Sequence, residues 1–284
     1  MPMLTDTTGP AEAVITVHLS VIALVMVSAV VSDIRSRHVG DLHWAAMVAV
    51  GVPAVSISTL ESAGAATAVC YAAGCCLMSA YMLSERISGG LAVPVVIASA
   101  AAFAAPSAFG LPGAQACSSA LFTVFFFAGL HQTGLIAGGA DAKCLMSLTM
   151  VLPEYPSVGG LPLTSYPSVL PPAMAVLALA LLMTLVWGIR IPAANISAGY
   201  FGRGMATSVS VPVHSADPVR QWPVERLSPS GIVRCAPSAD EASSIIEELR
   251  SAGVENVRVT PVVPFIAPIA LALAVILVIG LPIA

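Results

Sequence analysis

Two aspartates stand where apolar sequence gives way to charge. Asp33 closes a hydrophobic run in "AVVSDIRSRHVGDLHW", just ahead of Arg35 and Arg37. Asp141 follows another run in "GLIAGGADAKCLM", behind Gly138 and Gly139 and two residues before Lys143. Carboxylates in or beside apolar spans are expensive and are functional candidates by default. Singly, each has an ordinary explanation. Asp33 could be an interfacial cap partnered by Arg35 or Arg37, and Asp141 the N-cap of the helix that follows it. Together they suggest an aspartic-protease dyad, in which one carboxylate takes a proton from water while the other, protonated, polarises the scissile carbonyl. Gly138 and Gly139 would let the backbone approach a substrate strand or a facing helix. Lys143 lies at i+2 from Asp141, so the two do not face each other on a helix. It could instead contact a phosphate head group or orient the substrate. Asp41, Glu61, Glu85 and Glu154 fall in short polar loops and read as solvated.

The elements that hold these residues are membrane spans. The chain has 284 residues, of which 57% are hydrophobic and only 9% charged, where a soluble domain carries about 25% charged. The mean hydropathy is +0.93, and apolar runs recur at about the 20 residues that cross a bilayer. The fold class expected is an all-α polytopic membrane protein of about eight transmembrane helices. Candidate spans are 13–33, 44–60, 65–83, 90–109, 115–137, 141–155, 170–189 and 263–283. The short one, 141–155, is broken by Pro153 and reads either as a span or as a re-entrant helix.

Basic residues favour eight crossings. With the N-terminus outside, the inner segments are 34–43, 84–89, 138–143 and 190–262. All 11 Lys and Arg residues fall there, as the positive-inside rule expects. Residues 1–12 lack a positive n-region, and the first apolar run is too long for an h-region, so no cleavable signal peptide is expected. The net charge of -4 comes with no basic stripe, so nucleic acid is not an expected partner.

The chain divides into a membrane domain at 1–189, a soluble cytoplasmic insert at 190–262 and a last transmembrane helix within 263–284. The first half of the insert, rich in Gly, Pro and Ser, reads as irregular. In its second half, "GIVRCAP" (231–237) reads as a strand and "SADEASSIIEELRSAG" (238–253) as a helix with a Ser238–Glu241 capping box. "VENVRVTP" (254–261) reads as a second strand, with Ile245, Ile246 and Leu249 facing the strands. This makes a small α+β unit with no catalytic constellation. The six cysteines show no C-x-x-C spacing and read as packing residues. His18 and His131 read as packed core histidines, and His38 and His43 as loop residues able to tune the dyad. No metal site and no cofactor are expected.

At this point the residues resemble a family. "SDIRSRHVGDLHW", with Asp33, Arg37, Val39, Asp41 and Trp44, looks like the first-aspartate segment of archaeal preflagellin and prepilin peptidases. "GGADAK" resembles their second-aspartate motif, and "TPVVPFIAPIA" (260–270) the entry to their last helix. Bacterial prepilin peptidases are similar around Gly-x-Gly-Asp-x-Lys. Here Ala140 replaces the second glycine while Asp141 and Lys143 match, which favours the archaeal branch. The resemblance implies a multi-pass aspartic endopeptidase of the cell membrane, working at the cytoplasmic face. Its partners would be archaellin or type IV pilin-like precursors, from which it removes a short basic leader. Asp33 and Asp141 would be catalytic, with Gly138, Gly139, Lys143, Arg37 and Asp41 binding substrate or supporting the pair. The paired-cysteine zinc motif of many bacterial members is absent, so peptidase activity alone is expected. A presenilin-like intramembrane protease is a second reading, although "PPAM" (171–174) matches its Pro-Ala-Leu motif poorly. A proton-coupled transporter is a third, although mid-span carboxylates and internal repeats are not found.

Overall fold

A computed structural model describes residues 10–83, 91–136, 138–156, 170–236 and 239–280. Residues 84–90 and 157–169 and the proposed capping serine, Ser238, lie outside the described residues.

Apolar sequence of helical length dominates, and the chain is mostly helical. The helices of the membrane domain are α1 (Pro10–Ser36), α2 (Asp41–Ala63), α3 (Ala65–Leu83), α4 (Ala92–Ala108), α5 (Ala114–Gln132), α6 (Gly139–Val151) and α7 (Pro172–Gly188). Five stretches are long and apolar enough to cross a membrane: Ala13–Ser36, Asp41–Ala63, Ala65–Leu83, Ala114–Gln132 and Pro172–Ser197. Two more apolar helices, Ala92–Ala108 and Ile266–Val278, are shorter.

The short segment that sequence left open is α6. Its 13 residues make about 20 Å of helix. It packs against α2, α3, α5 and α7, and every residue from Cys144 to Val151 is buried. Burial on all sides is what a helix apolar all round requires. Two glycines bring its neighbours close. A Cβ at Gly51 on α2 would collide with Val151 and approach His18 Nε2 to 2.9 Å, and one at Gly74 on α3 would lie 2.8 Å from Phe103 of α4. Hydrogen bonds supplement this contact. Tyr71 Oη donates to the Met150 carbonyl at 2.7 Å and Ser99 Oγ to the Gly74 carbonyl at 2.9 Å. Interhelical bonds of this kind average about 0.6 kcal/mol in membranes, so close packing carries most of the cohesion. The six cysteines are free; Cys75, Cys117 and Cys144 are buried as packing residues, whereas Cys76 is exposed.

The insert differs from its expected form. Its first half is ordered: α8 (Arg190–Ser197), β1 (Val209–Pro212), a 3-10 turn, β2 (Gln221–Pro223) and β3 (Glu225–Ser228). β4 (Gly231–Arg234) does not pair with the strand after the helix. It forms a hairpin with β3, with Ser228 opposite Gly231. After α9 (Ala239–Ser251), β5 (Asn256–Pro261) runs antiparallel between β1 and β2. Ile245, Ile246 and Leu249 of α9 pack with Val213, Val257 and Val259, so the apolar face of α9 covers this sheet. Arg258 ties the unit to α8. Its Nη2 donates to Asn195 Oδ1 of α8 at 3.3 Å and to the Ser208 carbonyl at 2.8 Å, and its guanidinium lies 3.7 Å from the Tyr200 ring centroid. The chain then enters α10 (Ile266–Val278), which packs on α1 and α7.

Candidate active site

The end of α1 is where local sequence first shapes the site. Asp33 sits in the last turn, and Arg37 N donates to the Asp33 carbonyl at 3.0 Å to close it. The helix stops because Arg37 adopts φ 56°, the left-handed conformation that often ends a helix and that glycine usually supplies. Ser32 Oγ then donates to the His38 carbonyl at 2.7 Å, fixing the turn into α2.

Asp33 and Arg37 both reach the entry of α10. Ile266 N donates to Asp33 Oδ2 at 3.3 Å, so a carboxylate meets an N–H at a helix N-terminus, where negative charge is favoured. Arg37 Nη2 donates to the Val262 carbonyl. Neither Arg35 nor Arg37 forms an ion pair with Asp33 within 4.0 Å among the described residues, so the suggested cap partnership is not the arrangement found. Burial draws the Arg37 guanidinium below the ordinary arginine range, while the charge of Asp33 works the other way.

Asp141 is not an N-cap. Gly138 holds that position, without a side-chain cap bond, and Asp141 is the third residue of α6. Its side chain folds back over Gly138, where a Cβ would collide with Asp141 Oδ2. Gly139 has open space around it, so only the first of the two glycines is required by close approach.

Asp41 and Lys143 correct another expectation. Asp41 is not in a solvated loop. It is the first residue of α2, and Lys143 Nζ lies 2.6 Å from its Oδ1. The pair ties the start of α2 to the first turns of α6 and occupies the cation nearest Asp141 in sequence. His43 is held by contacts of 3.1 Å to Ser28 Oγ and the Gly40 carbonyl. His38 is exposed at the cavity edge.

These elements enclose one cavity of about 890 Å³. Asp33, Arg37, Asp41, Gly138, Gly139, Asp141 and Lys143 all line it, so the seven candidate residues converge. The insert, to which sequence gave no role, supplies Pro218, Val219, Trp222 and Ser243 to the same lining. The strand-to-helix junction adds Val262, Val263 and Phe265. The signal that could have foretold this is position: the insert immediately precedes α10, whose first turn contacts Asp33. Two carboxylates facing a cavity that has both apolar walls and hydrogen-bond donors can activate a water and polarise a carbonyl. Among the described residues no group of three His, Cys, Asp or Glu could hold a metal. No protein-family model matches the chain, and no curated protein matches it.

Proposed function

We propose that the protein is a membrane aspartic endopeptidase of the preflagellin and prepilin peptidase type, with Asp33 and Asp141 as its catalytic pair. One observation carries this reading. Two aspartates from distant parts of the chain line a single cavity at one end of the helices. That end bears Arg35, Arg37 and Lys143, the basic residues that mark a cytoplasmic face. Eight crossings, with α6 as a short buried span, put the insert on the same side. A precursor whose apolar helix lies in the bilayer and whose basic leader lies in the cytoplasm would present its bond at this depth.

The surroundings of the two carboxylates suggest a division of labour. Asp33 already accepts an N–H at the start of α10 and lies near Arg37, so it is suited to be the carboxylate that takes the proton from water. Asp141 has no ion-pair partner among the described residues, because Lys143 is engaged by Asp41. It is suited to carry the proton that polarises the scissile carbonyl. As the C–N bond breaks, Asp33 passes the proton it took from water to the leaving amine, and the proton on the former carbonyl oxygen returns to Asp141, so the pair is back in its starting state.

The test is incubation of the purified protein with an archaellin or type IV pilin-like precursor, following the mobility shift of leader removal. Cleavage by the wild-type protein, abolished in both Asp33→Asn and Asp141→Asn, is the expected outcome, because members of such a unit fail together. Near wild-type cleavage by either variant would sink the dyad.

A further inference from the structure

Trp222 is a large aromatic residue that the protein's own packing leaves unused. It joins neither apolar core: the membrane helices pack into one, and α9 with the sheet of the insert into the other. Among the described residues no second ring packs on it and no cation lies over it. Pairing in the sheet fixes where its side chain points. Trp222 lies opposite Thr260, and Pro223 opposite Val259. Directly paired residues project to the same face, and successive residues alternate. Val257 and Val259 pack with α9, so Trp222 projects with Arg258 and Thr260 from the face turned away from α9. There it lines the aspartate cavity together with Pro218 and Val219. Val219 is also apolar and is 45% exposed. Uncovered apolar surface rimmed by polar groups marks a binding surface, and Trp is enriched among the residues that dominate binding.

The wall sets the chemistry of what covers it. An apolar side chain placed against Pro218, Val219 and Trp222 leaves water without any charge being desolvated. An indole face also attracts cations. Here a cationic side chain would enter beside Arg37, which lines the same cavity, and beside Arg220, whose charge acts on Arg37. The carboxylates do not offset this. Asp41 is neutralised by Lys143, and Asp33 and Asp141 must hold the reacting bond. Charge complementarity therefore selects an apolar side chain. In the peptidase reading such a side chain follows the cut bond, because the apolar helix of the precursor begins there.

We propose that Trp222, with Pro218 and Val219, is a specificity-determining residue that takes the apolar side chain of the first residue after the cut bond. This rests on the peptidase reading, which makes the occupant a peptide. It gives the insert a role: its wall accepts a bond only where an apolar segment starts.

The experiment measures kcat/KM of the purified full-length protein on synthetic precursors that differ only in the residue after the cut bond: Ala, Leu, Phe or Lys. Wild type should favour Leu and Phe over Ala by about 10- to 100-fold, the worth of filling an apolar pocket. Trp222→Ala should bring that preference below about threefold, by losing rate on the Leu and Phe precursors. A residue that only supports the fold would lower all four precursors together. Val219→Trp adds bulk to the same wall at an exposed position and should favour Ala over Phe. It keeps the test decisive if Trp222→Ala does not fold. A wild-type preference retained in folded Trp222→Ala, or in Val219→Trp, overturns the inference and leaves the dyad intact. So does a wild-type preference for Lys that Trp222→Ala removes, which would give the wall to a basic side chain. If the wild-type protein cleaves no precursor, the peptidase reading has failed and this subsite falls with it.

Discussion

Gly138 and Gly139 are adjacent glycines with different surroundings. A methyl at Gly138 would displace the Asp141 carboxylate, whereas Gly139 faces open space. Gly138→Ala is therefore expected to lower precursor cleavage on the order of 100-fold, the scale on which small misplacements of a reacting group cost rate. Gly139→Ala should cleave normally and gain up to about 1 kcal/mol in stability, since alanine is the better helix former. Cleavage assays with thermal unfolding of both variants check the contrast, and equal activities would remove the positional role of Gly138. Spacing marked both glycines but could not separate them, because the direction in which a Cβ would point depends on the backbone. Asp33 and Asp141 were legible from their apolar flanks. The partner of Lys143 was not. The i+2 spacing excluded Asp141, but Asp41 meets Lys143 only because two helices start side by side.

At the scale of elements, hydropathy located the helices of the membrane domain because apolar runs of helical length leave few alternatives. It could not say that α6 is enclosed by its neighbours, since periodicity does not report what surrounds a helix. That enclosure has a consequence at Tyr71, whose Oη holds the Met150 carbonyl near the end of α6. Tyr71→Phe should destabilise the protein by about 0.6–2 kcal/mol, the range for buried polar contacts between membrane helices. It should leave cleavage intact, because Met150 lies at the opposite end of α6 from Asp141. A matched melting temperature would show that the bond contributes little. In the insert, Pro229 and Ser230 connect β3 to β4 in a two-residue hairpin. A two-residue hairpin is signalled in sequence by pairs such as Asn-Gly or Gly-Ser, and the Pro-Ser pair in "ERLSPSGIVR" is not one of them. The hairpin was therefore not legible, and the Pro, Ser and Gly content read as irregular chain.

For the whole molecule, the asymmetry between the two ends is the main constraint. The cavity with both aspartates lies at one end, beside Arg37 and Lys143. At the other end, a smaller cavity of about 260 Å³ is lined by His18, Thr59, Gly113 and Glu154 among others, with no Lys or Arg in its lining. That the insert shares an end with the aspartates was expected from the basic residues, but its joining them in one cavity was not read from the sequence. It depends on Arg37 meeting Val262, a contact between residues at opposite ends of the chain. The orientation of this whole can be read with single cysteines in a background lacking the native six. Ser36 and Ser215 are exposed at the end of α1 and in the insert, and Phe109 is exposed after α4. With eight crossings, a membrane-impermeant maleimide should label Phe109→Cys in intact cells. Ser36→Cys and Ser215→Cys should label only after lysis, the outcome that the positive-inside rule predicts for their segments. Arg35 in the last turn of α1 and Arg37 just after it border a short connection to α2, where the rule is reliable. The insert is long, and long segments translocate largely regardless of charge, so Ser215 is the more demanding position. Labelling of Ser215→Cys in intact cells would put the insert outside while Ser36 remained inside. That result would contradict the contact between Arg37 and Val262, and with it the wall that the insert contributes to the aspartate cavity.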